Sequence, residues 1–361
     1  MAYSINREQV KVALQQVQDT SSLKRKIAIN GFGRIGRLFF RTAISNPNIE
    51  IVAVNDLGNL ENLAYLLKYD TVYGKYDKDI KIQDGNLVVA GKTVKCLQEK
   101  DPAKLPWKDL GVDVAIEATG FFESYEQAKA HLDAGAKRVV ITAPAKDEDG
   151  ETGRTCLVGV NEEDMKLVKI TSNGSCTTNA ASPVLAVLAE KLGVAKAILN
   201  TAHGYTATQN LVDGPTKGGD FRRGRAAAQN IVPSTTGSAI AVGRAIKEIG
   251  DKFDGIALRV PTVASSVADI TLIASKKTSA EEVNKILTAA AQEPRWQGIL
   301  KVTSDPVVSS DIIGEPYGAV VDLNFTRVVD GDLVKVLSWY DNELGYVTTL
   351  VKHVELVAKL V

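Results

Sequence analysis

The sequence predicts an α/β protein of two domains, a doubly wound parallel sheet followed by an α+β domain with a mostly antiparallel sheet. Three observations carry this. A chain of 361 residues exceeds what one hydrophobic core usually serves. Its first half alternates short apolar strands with amphipathic helices, the pattern of a parallel sheet with crossover helices. Its second half alternates apolar and polar residues singly, as a half-exposed antiparallel sheet does.

In chain order, "MAYSINREQVKVALQQVQDTSS" puts Val10, Leu14 and Val17 on one face of a short amphipathic helix ended by "DTSS". It lacks the basic start and unbroken apolar run of a secretory signal. "KIAING", a helix over 36–45, "IEIVAVND" and a helix around "LENLAYLLKYD" then open the parallel sheet. "VDVAIEATG", "RVVITAPA" and "KITSNGS" extend it, each followed by a turn of small residues. After Thr177 the texture changes to a helix, "SPVLAVLAEKLG", and a strand, "AILNTAHGYT". A long Gly- and Arg-containing stretch over 204–224 follows, and then "GIALRVPTV", "VADITLIAS" and "AVVDLNFTRVV" alternate with period two. The closing "YVTTLVKHVELVAKLV" is helical by period and suited to packing back on the first domain.

Composition narrows the function. With 45% hydrophobic and 24% charged residues the chain is neither disordered nor fibrous. Lys plus Arg equal Asp plus Glu at 43 each, so no overall field would hold nucleic acid or an anionic membrane, and any anion site must be local. Three cysteines without a C-x-x-C pair argue against a disulfide framework and a structural zinc and for a reducing cytosol; no metal is expected. No apolar run reaches spanning length.

"INGFGRIGR" carries G-x-G-x-x-G as Gly31, Gly33 and Gly36 between a strand and a helix. The glycines permit a tight turn and close approach of a pyrophosphate, which the helix N-terminus favours. Asp56 ends the second strand, where its carboxylate suits a ribose and repels a 2′-phosphate, so NAD is preferred over NADP.

Cys176 lies where "KITSNGS" gives way to "CTTN" and an apolar helical run. A helix N-terminus there would favour thiolate, and its Ser and Thr neighbours are unlike those of a buried filler cysteine. Cys96 and Cys156 sit in apolar alternation and read as buried filler. Of three histidines, His131 and His353 fall on helix faces, whereas His203 ends a strand before a run of hydroxyls. Elimination makes Cys176 and His203 the candidate pair. "HGYTATQ" (Thr206, Thr208), "PSTTGSA" (Thr236, Gly237) and "ALRVP" (Arg259) offer donors suited to a phosphate ester, or else a polar loop, a helix cap and a surface ion pair. "FRRGR", with Arg222 and Arg223, reads as a solvated loop or oligomer contact before it reads as an RNA site.

Together "INGFGRIGR", "VNDL", "SCTTN", "HGYTATQ", "VPSTTG", "LRVPT" and "SWYDNELGY" resemble the phosphorylating glyceraldehyde-3-phosphate dehydrogenases, in order from about Lys26 to the C-terminus. The resemblance implies a Rossmann NAD-binding domain over 25–175 with 342–361, a catalytic domain over 176–341, an added extension over 1–24, and a cytoplasmic homotetramer. It implies Cys176 as nucleophile and His203 as base. Arg34, Ile35, Asp56, Lys100, Thr119, Gly120, Thr142, Asn342 and Tyr346 would serve NAD beside the three glycines. Ser175 and Thr177, with Thr236 and Gly237, would serve inorganic phosphate. Thr206 and Arg259 would hold the substrate's phosphate ester, Thr208 would be among the substrate- or phosphate-binding residues, and Arg222 or Arg223 would assist an anion site. Erythrose-4-phosphate dehydrogenase is the alternative within the class; a cysteine hydrolase would need no glycine fingerprint, and an RNA-binding protein would rest on "FRRGR". Ala180 stands where the family has a second cysteine, and "PTVASSVADIT" replaces "PTPNVSVVDLT".

Overall fold

The computed structural model describes residues 24–216 and 219–361, so the helix expected around Val10, Leu14 and Val17 lies outside the described residues. The chain divides into two compact units: one holds the described residues to Cys156, then 162–174 and 350–361, and the other holds 157–161 and 175–349.

In the first unit the strands are β1 (Arg25–Asn30), β2 (Ile49–Asn55), β3 (Ile80–Gln83), β4 (Asn86–Val89), β5 (Lys92–Leu97), β6 (Val114–Glu117), β7 (Arg138–Ile141), β8 (Gly153–Thr155) and β9 (Ile170–Ser172). They form one sheet of order β3-β4-β5-β2-β1-β6-β7-β9-β8. From β5 to β8 every pairing is parallel, and β3 and β4 add an antiparallel edge. Helices α1 (Arg34–Ala43), α2 (Leu60–Lys68), α3 (Trp107–Leu110) and α4 (Tyr125–Asp133) lie in the crossovers. The apolar runs of the central strands are buried, with Ile27, Ala28, Ile29, Val114, Ala115 and Ile116 fully enclosed, as parallel strands covered on both faces must be. The strand order reverses between β2-β1 and β1-β6, which opens the crevice at the carboxyl ends of β1, β2 and β6.

In the second unit β10 (Val194–Gly204), β11 (Val232–Thr235), β12 (Phe253–Val260), β13 (Ser266–Ala274), β14 (Leu300–Thr303), β15 (Ala319–Val329) and β16 (Leu333–Tyr340) make a sheet of order β11-β12-β10-β13-β16-β15-β14. Pairing is antiparallel except for β10 with β12 and β14 with β15. The strict alternation of β13 buries Ser266, Ala268, Ile270, Leu272 and Ala274 on one face. That face packs with α5 (Cys176–Leu192), α6 (Ser238–Ala245) and α7 (Ala280–Ala290) into one apolar core. The helix expected from Ser182 starts at Cys176 instead. Ser175 and Thr178 cap it reciprocally, which outweighs the weak helix preference of Thr177 and Thr178, and Pro183 is carried inside it.

Helix α8 (Leu344–Ala358) closes the chain, its residues from 350 onward belonging to the first unit. There His353 is fully enclosed, with Nε2 2.7 Å from Thr171 Oγ1 and Nδ1 3.1 Å from Asn173 Oδ1. Burial drives its pKa down to about 3 from an ordinary 6.5. The unfolded chain therefore binds a proton between about pH 6.5 and 3 that the folded chain refuses, so this contribution is complete above the unfolded value and is lost as pH falls. The unfolding free energy from denaturant titrations is expected to fall from about pH 7 to about pH 5, by up to about 1.4 kcal/mol per pH unit for each such histidine. His353→Gln should flatten that dependence; an equal slope in the variant would refute the assignment.

Candidate active site

Ser175 begins the site in the second unit. Its Oγ accepts the Thr178 N–H at 3.1 Å while Thr178 Oγ1 accepts the Ser175 N–H at 3.1 Å, a cap contributing about 1 kcal/mol. Cys176 is thereby the first helical residue, half-buried, and its Sγ lies 3.3 Å from His203 Nε2.

The strand register brings the other groups alongside. Arg259 of β12 pairs with His203 of β10, His203 with Ser266 of β13, and Ser266 with Tyr340 of β16, so one row crosses four strands. His203 Nδ1 is 2.6 Å from the Gly204 carbonyl and 2.7 Å from Arg259 Nη1. Burial, then the charge of Arg259, lowers the imidazole pKa to about 3 against an opposing bond to Gly204. Burial also pushes the Cys176 thiol up, opposed by the Arg259 charge and by the hydroxyl and amide of Thr177. Burial thus works on Cys176 against Arg259 and the donors of the helix terminus, and on His203 it favours the neutral ring.

Tyr340 was not picked out by the sequence. Its ring meets that of His203 edge-on at 6.0 Å, and its hydroxyl lies 2.8 Å from both Thr177 Oγ1 and Thr201 Oγ1. Ser266 was missed as well: its Oγ accepts the Gly204 N–H and donates to Asn342 Oδ1, both at 3.1 Å. This ties the amide of Asn342 to the strand that carries His203.

Two hydroxyl chains flank the pair. Ser175 Oγ meets Ser238 Oγ at 2.8 Å, and Thr236 Oγ1 donates to Ser238 Oγ at 2.8 Å, with Gly237 as the N-cap of α6. Thr206 Oγ1 meets Thr208 Oγ1 at 3.0 Å, and Arg223 donates to Thr208 Oγ1 and Ser234 Oγ at 3.1 and 2.8 Å. Arg222 turns instead to Asp220 at 2.8 Å, so of the two adjacent arginines only Arg223 joins the hydroxyls.

The first unit carries the dinucleotide-binding features. Gly31 has φ +96°, and a Cβ there would lie 2.5 Å from the Ala118 carbonyl carbon; a Cβ at Gly36 would overlap the Gly31 carbonyl oxygen. Over Gly33 a Cβ would meet nothing within 4 Å. The first turn of α1, with Arg34 and Ile35, has neither a side-chain cap nor an acidic residue, which leaves its electropositive end open to an anion. Asp56 is held by accepting the Phe32 and Gly58 N–H groups at 2.7 and 2.8 Å. Leu57 and Phe121, which follow β2 and β6, are exposed. These residues fit NAD. Arg34 pairs with Asp70 at 2.6 Å, Lys100 is exposed after β5, and Thr142 donates to the Glu117 carbonyl at 3.0 Å. Gly120 has φ +72°, and Tyr346, on α8 in the second unit, is buried.

Beneath the Gly31 turn, Glu117 takes four donors. Its Oε1 accepts the N–H of Thr119 at 2.8 Å and the Thr119 hydroxyl; its Oε2 accepts Asn30 Nδ2 at 2.6 Å and lies 3.0 Å from His131 Nε2. Trp107 Nε1 donates to His131 Nδ1 at 3.0 Å, so the imidazole proton sits on Nε2, toward the carboxylate. His131, expected only to occupy a helix face, is part of a buried polar chain.

Comparison with known proteins agrees with this geometry. Residues 25–125 match the family described as "Glyceraldehyde 3-phosphate dehydrogenase, NAD binding domain", and 175–342 match its C-terminal domain. Proteins named glyceraldehyde-3-phosphate dehydrogenase are similar along most of the chain. That of Thermotoga maritima is 48% identical over 93% of this chain and 99% of its own. The Geobacillus stearothermophilus protein is 47% identical over 89% and 94%, and that of Clostridium pasteurianum 45% over 93% and 99%.

Proposed function

Because the chain belongs to the glyceraldehyde 3-phosphate dehydrogenase family, we propose that Cys176 is its nucleophile and His203 its general base. The enzyme is an NAD-dependent dehydrogenase that oxidises glyceraldehyde 3-phosphate, with inorganic phosphate, to 1,3-bisphosphoglycerate. The observation that carries the assignment of roles is the 3.3 Å contact between Cys176 Sγ and His203 Nε2.

Cys176 gives its proton to His203 as sulfur bonds to the aldehyde carbon, and His203 returns it to the carbonyl oxygen, which gives a thiohemiacetal and a neutral imidazole. NAD⁺, when bound, supplies the hydride acceptor. His203 Nε2 takes the hydroxyl proton as the C–H bond breaks, leaving a thioester on Cys176. Inorganic phosphate held by the Ser175, Thr177, Thr236 and Gly237 group then displaces the sulfur and carries the acyl group away. Thr206, Thr208, Arg223 and Arg259 hold the phosphate ester of the substrate. Gly31, Gly33, Gly36, Arg34, Ile35 and Asp56 bind NAD, with Lys100, Thr119, Gly120 and Thr142 beside them, and Asn342, fixed by Ser266, orients the carboxamide near Tyr346.

NADH formation is expected to depend on inorganic phosphate and to favour NAD⁺ over NADP⁺. Phosphate-independent turnover would mean hydrolysis of the thioester and would overturn the acyl-phosphate assignment.

The chain works as a homotetramer in the cytoplasm. Support for assembly comes from Ile198 and Ile256, 59% and 53% exposed on neighbouring strands of the second sheet, and light scattering tests it. The location is supported by three unpaired cysteines; among the described residues, no helix is long and apolar enough to cross a membrane. Nucleic acid is not a partner in this reading, because Arg222 and Arg225 are paired with Asp220 and Asp213.

A further inference from the structure

His203 Nδ1 sits between two groups that make opposite demands. The Gly204 carbonyl, at 2.6 Å, can only accept a hydrogen bond, and the Arg259 guanidinium, at 2.7 Å, can only donate one. One ring nitrogen cannot serve both at once. Protonating both nitrogens would set an N–H against the guanidinium in a pocket where His203 is 3% exposed, and burial with the Arg259 charge opposes that state. The ring therefore carries one proton, and the two neighbours compete over which nitrogen holds it.

We propose that Arg259 is a positioning residue that locks His203 in the tautomer protonated on Nε2, and that a phosphate ester drawing Arg259 away moves the proton to Nδ1 and frees Nε2 to act as base. With Arg259 on Nδ1, the Nε2–H points at Cys176 Sγ, 3.3 Å away, and the ring cannot take the thiol proton. The Gly204 carbonyl keeps a donor in this state, Arg259 Nη1 at 3.4 Å. When Arg259 leaves, Nδ1–H donates to the same carbonyl, so neither tautomer strands it. The ring keeps one proton throughout, losing one from Nε2 to water and gaining one at Nδ1. Cys176 is thereby armed by the phosphate of its own substrate. The anion half of this inference rests on the reading of Arg259 as a holder of the phosphate ester.

Only three histidines occur in the chain, so nitrogen-15 NMR of the histidine-labelled full chain resolves the ring of interest, with His131 and His353 as internal controls of folding. The probe is sn-glycerol 3-phosphate, a phosphate ester without an aldehyde, its binding measured by calorimetry. The ligand-free enzyme is expected to show His203 protonated on Nε2, and saturating probe should shift the proton to Nδ1. Arg259→Met should hold it on Nδ1 with or without probe, and Arg259→Lys, which keeps a donor, should restore the Nε2 form. A ligand-free wild type protonated on Nδ1, or an Arg259→Met ring still protonated on Nε2, would overturn the lock. A probe that fails to bind, or binds without moving the wild-type proton while Arg259→Met moves it, would overturn the anion half and the phosphate-ester role of Arg259, leaving the lock standing.

Discussion

Cys176→Ser is expected to reduce kcat/KM for glyceraldehyde 3-phosphate by roughly 10⁴-fold or more, as removal of a covalent nucleophile does. The hydroxyl is a far weaker acid than the thiol, His203 is held neutral with a pKa lowered to about 3, and an oxygen ester lacks the reactivity that lets phosphate displace sulfur. NAD affinity should be unchanged, because the glycine turn and Asp56 belong to the other unit and Asn342 is held by Ser266 rather than by Cys176. Phosphate-dependent NADH formation and NAD binding measured on the same sample separate the two, and variant activity within tenfold of wild type would remove Cys176 from the mechanism.

His203→Asn is the second large effect, about 10²- to 10⁴-fold in kcat, the usual range for a positioned base. Asparagine preserves a polar side chain but offers nothing that accepts a proton near neutral pH. Two steps should suffer, formation of the thiohemiacetal and loss of its hydroxyl proton. With sn-glycerol 3-phosphate bound, the rate of Cys176 alkylation by iodoacetamide should fall as well, because the imidazole that receives the thiol proton in that state is gone. An unchanged alkylation rate with reduced kcat would confine His203 to the later proton transfer.

Much of this arrangement is legible in the sequence where chemistry leaves few alternatives. With three histidines and two of them on helical faces, His203 stands out beside a cysteine flanked by hydroxyls. The glycine turn announces itself because strand, turn, helix, strand and acid follow in order. Ser266 and Tyr340 carry no such mark. Each is an inward-facing residue in an alternating strand, and only the register of β10, β13 and β16 brings them to the His203 row. The β3–β5 meander lies outside the strands expected from the sequence, although Asp84 and Gly85, both with positive φ, are the signature of a tight hairpin turn. The start of α5 was obscured because Thr177 and Thr178 resemble a loop until their cap is considered. Which of Arg222 and Arg223 faces the hydroxyls depends on a local pairing with Asp220.

The four donors gathered on Glu117 bear on how this fold can diverge. Asn30 lies 87 residues before Glu117 and His131 lies 14 after it, and Trp107 fixes the ring of the latter. A chimera that exchanged α4 for a helix lacking His131 would strip one donor from a buried carboxylate, and one that exchanged β6 would leave the donors facing nothing. Leaving such a buried hydrogen bond unmet costs about 1 to 3 kcal/mol, a sizeable part of the margin a domain holds. These positions are therefore expected to be inherited as a block, so that recombination between distant homologues succeeds only at crossover points that keep Asn30, Trp107, Glu117 and His131 from a single parent.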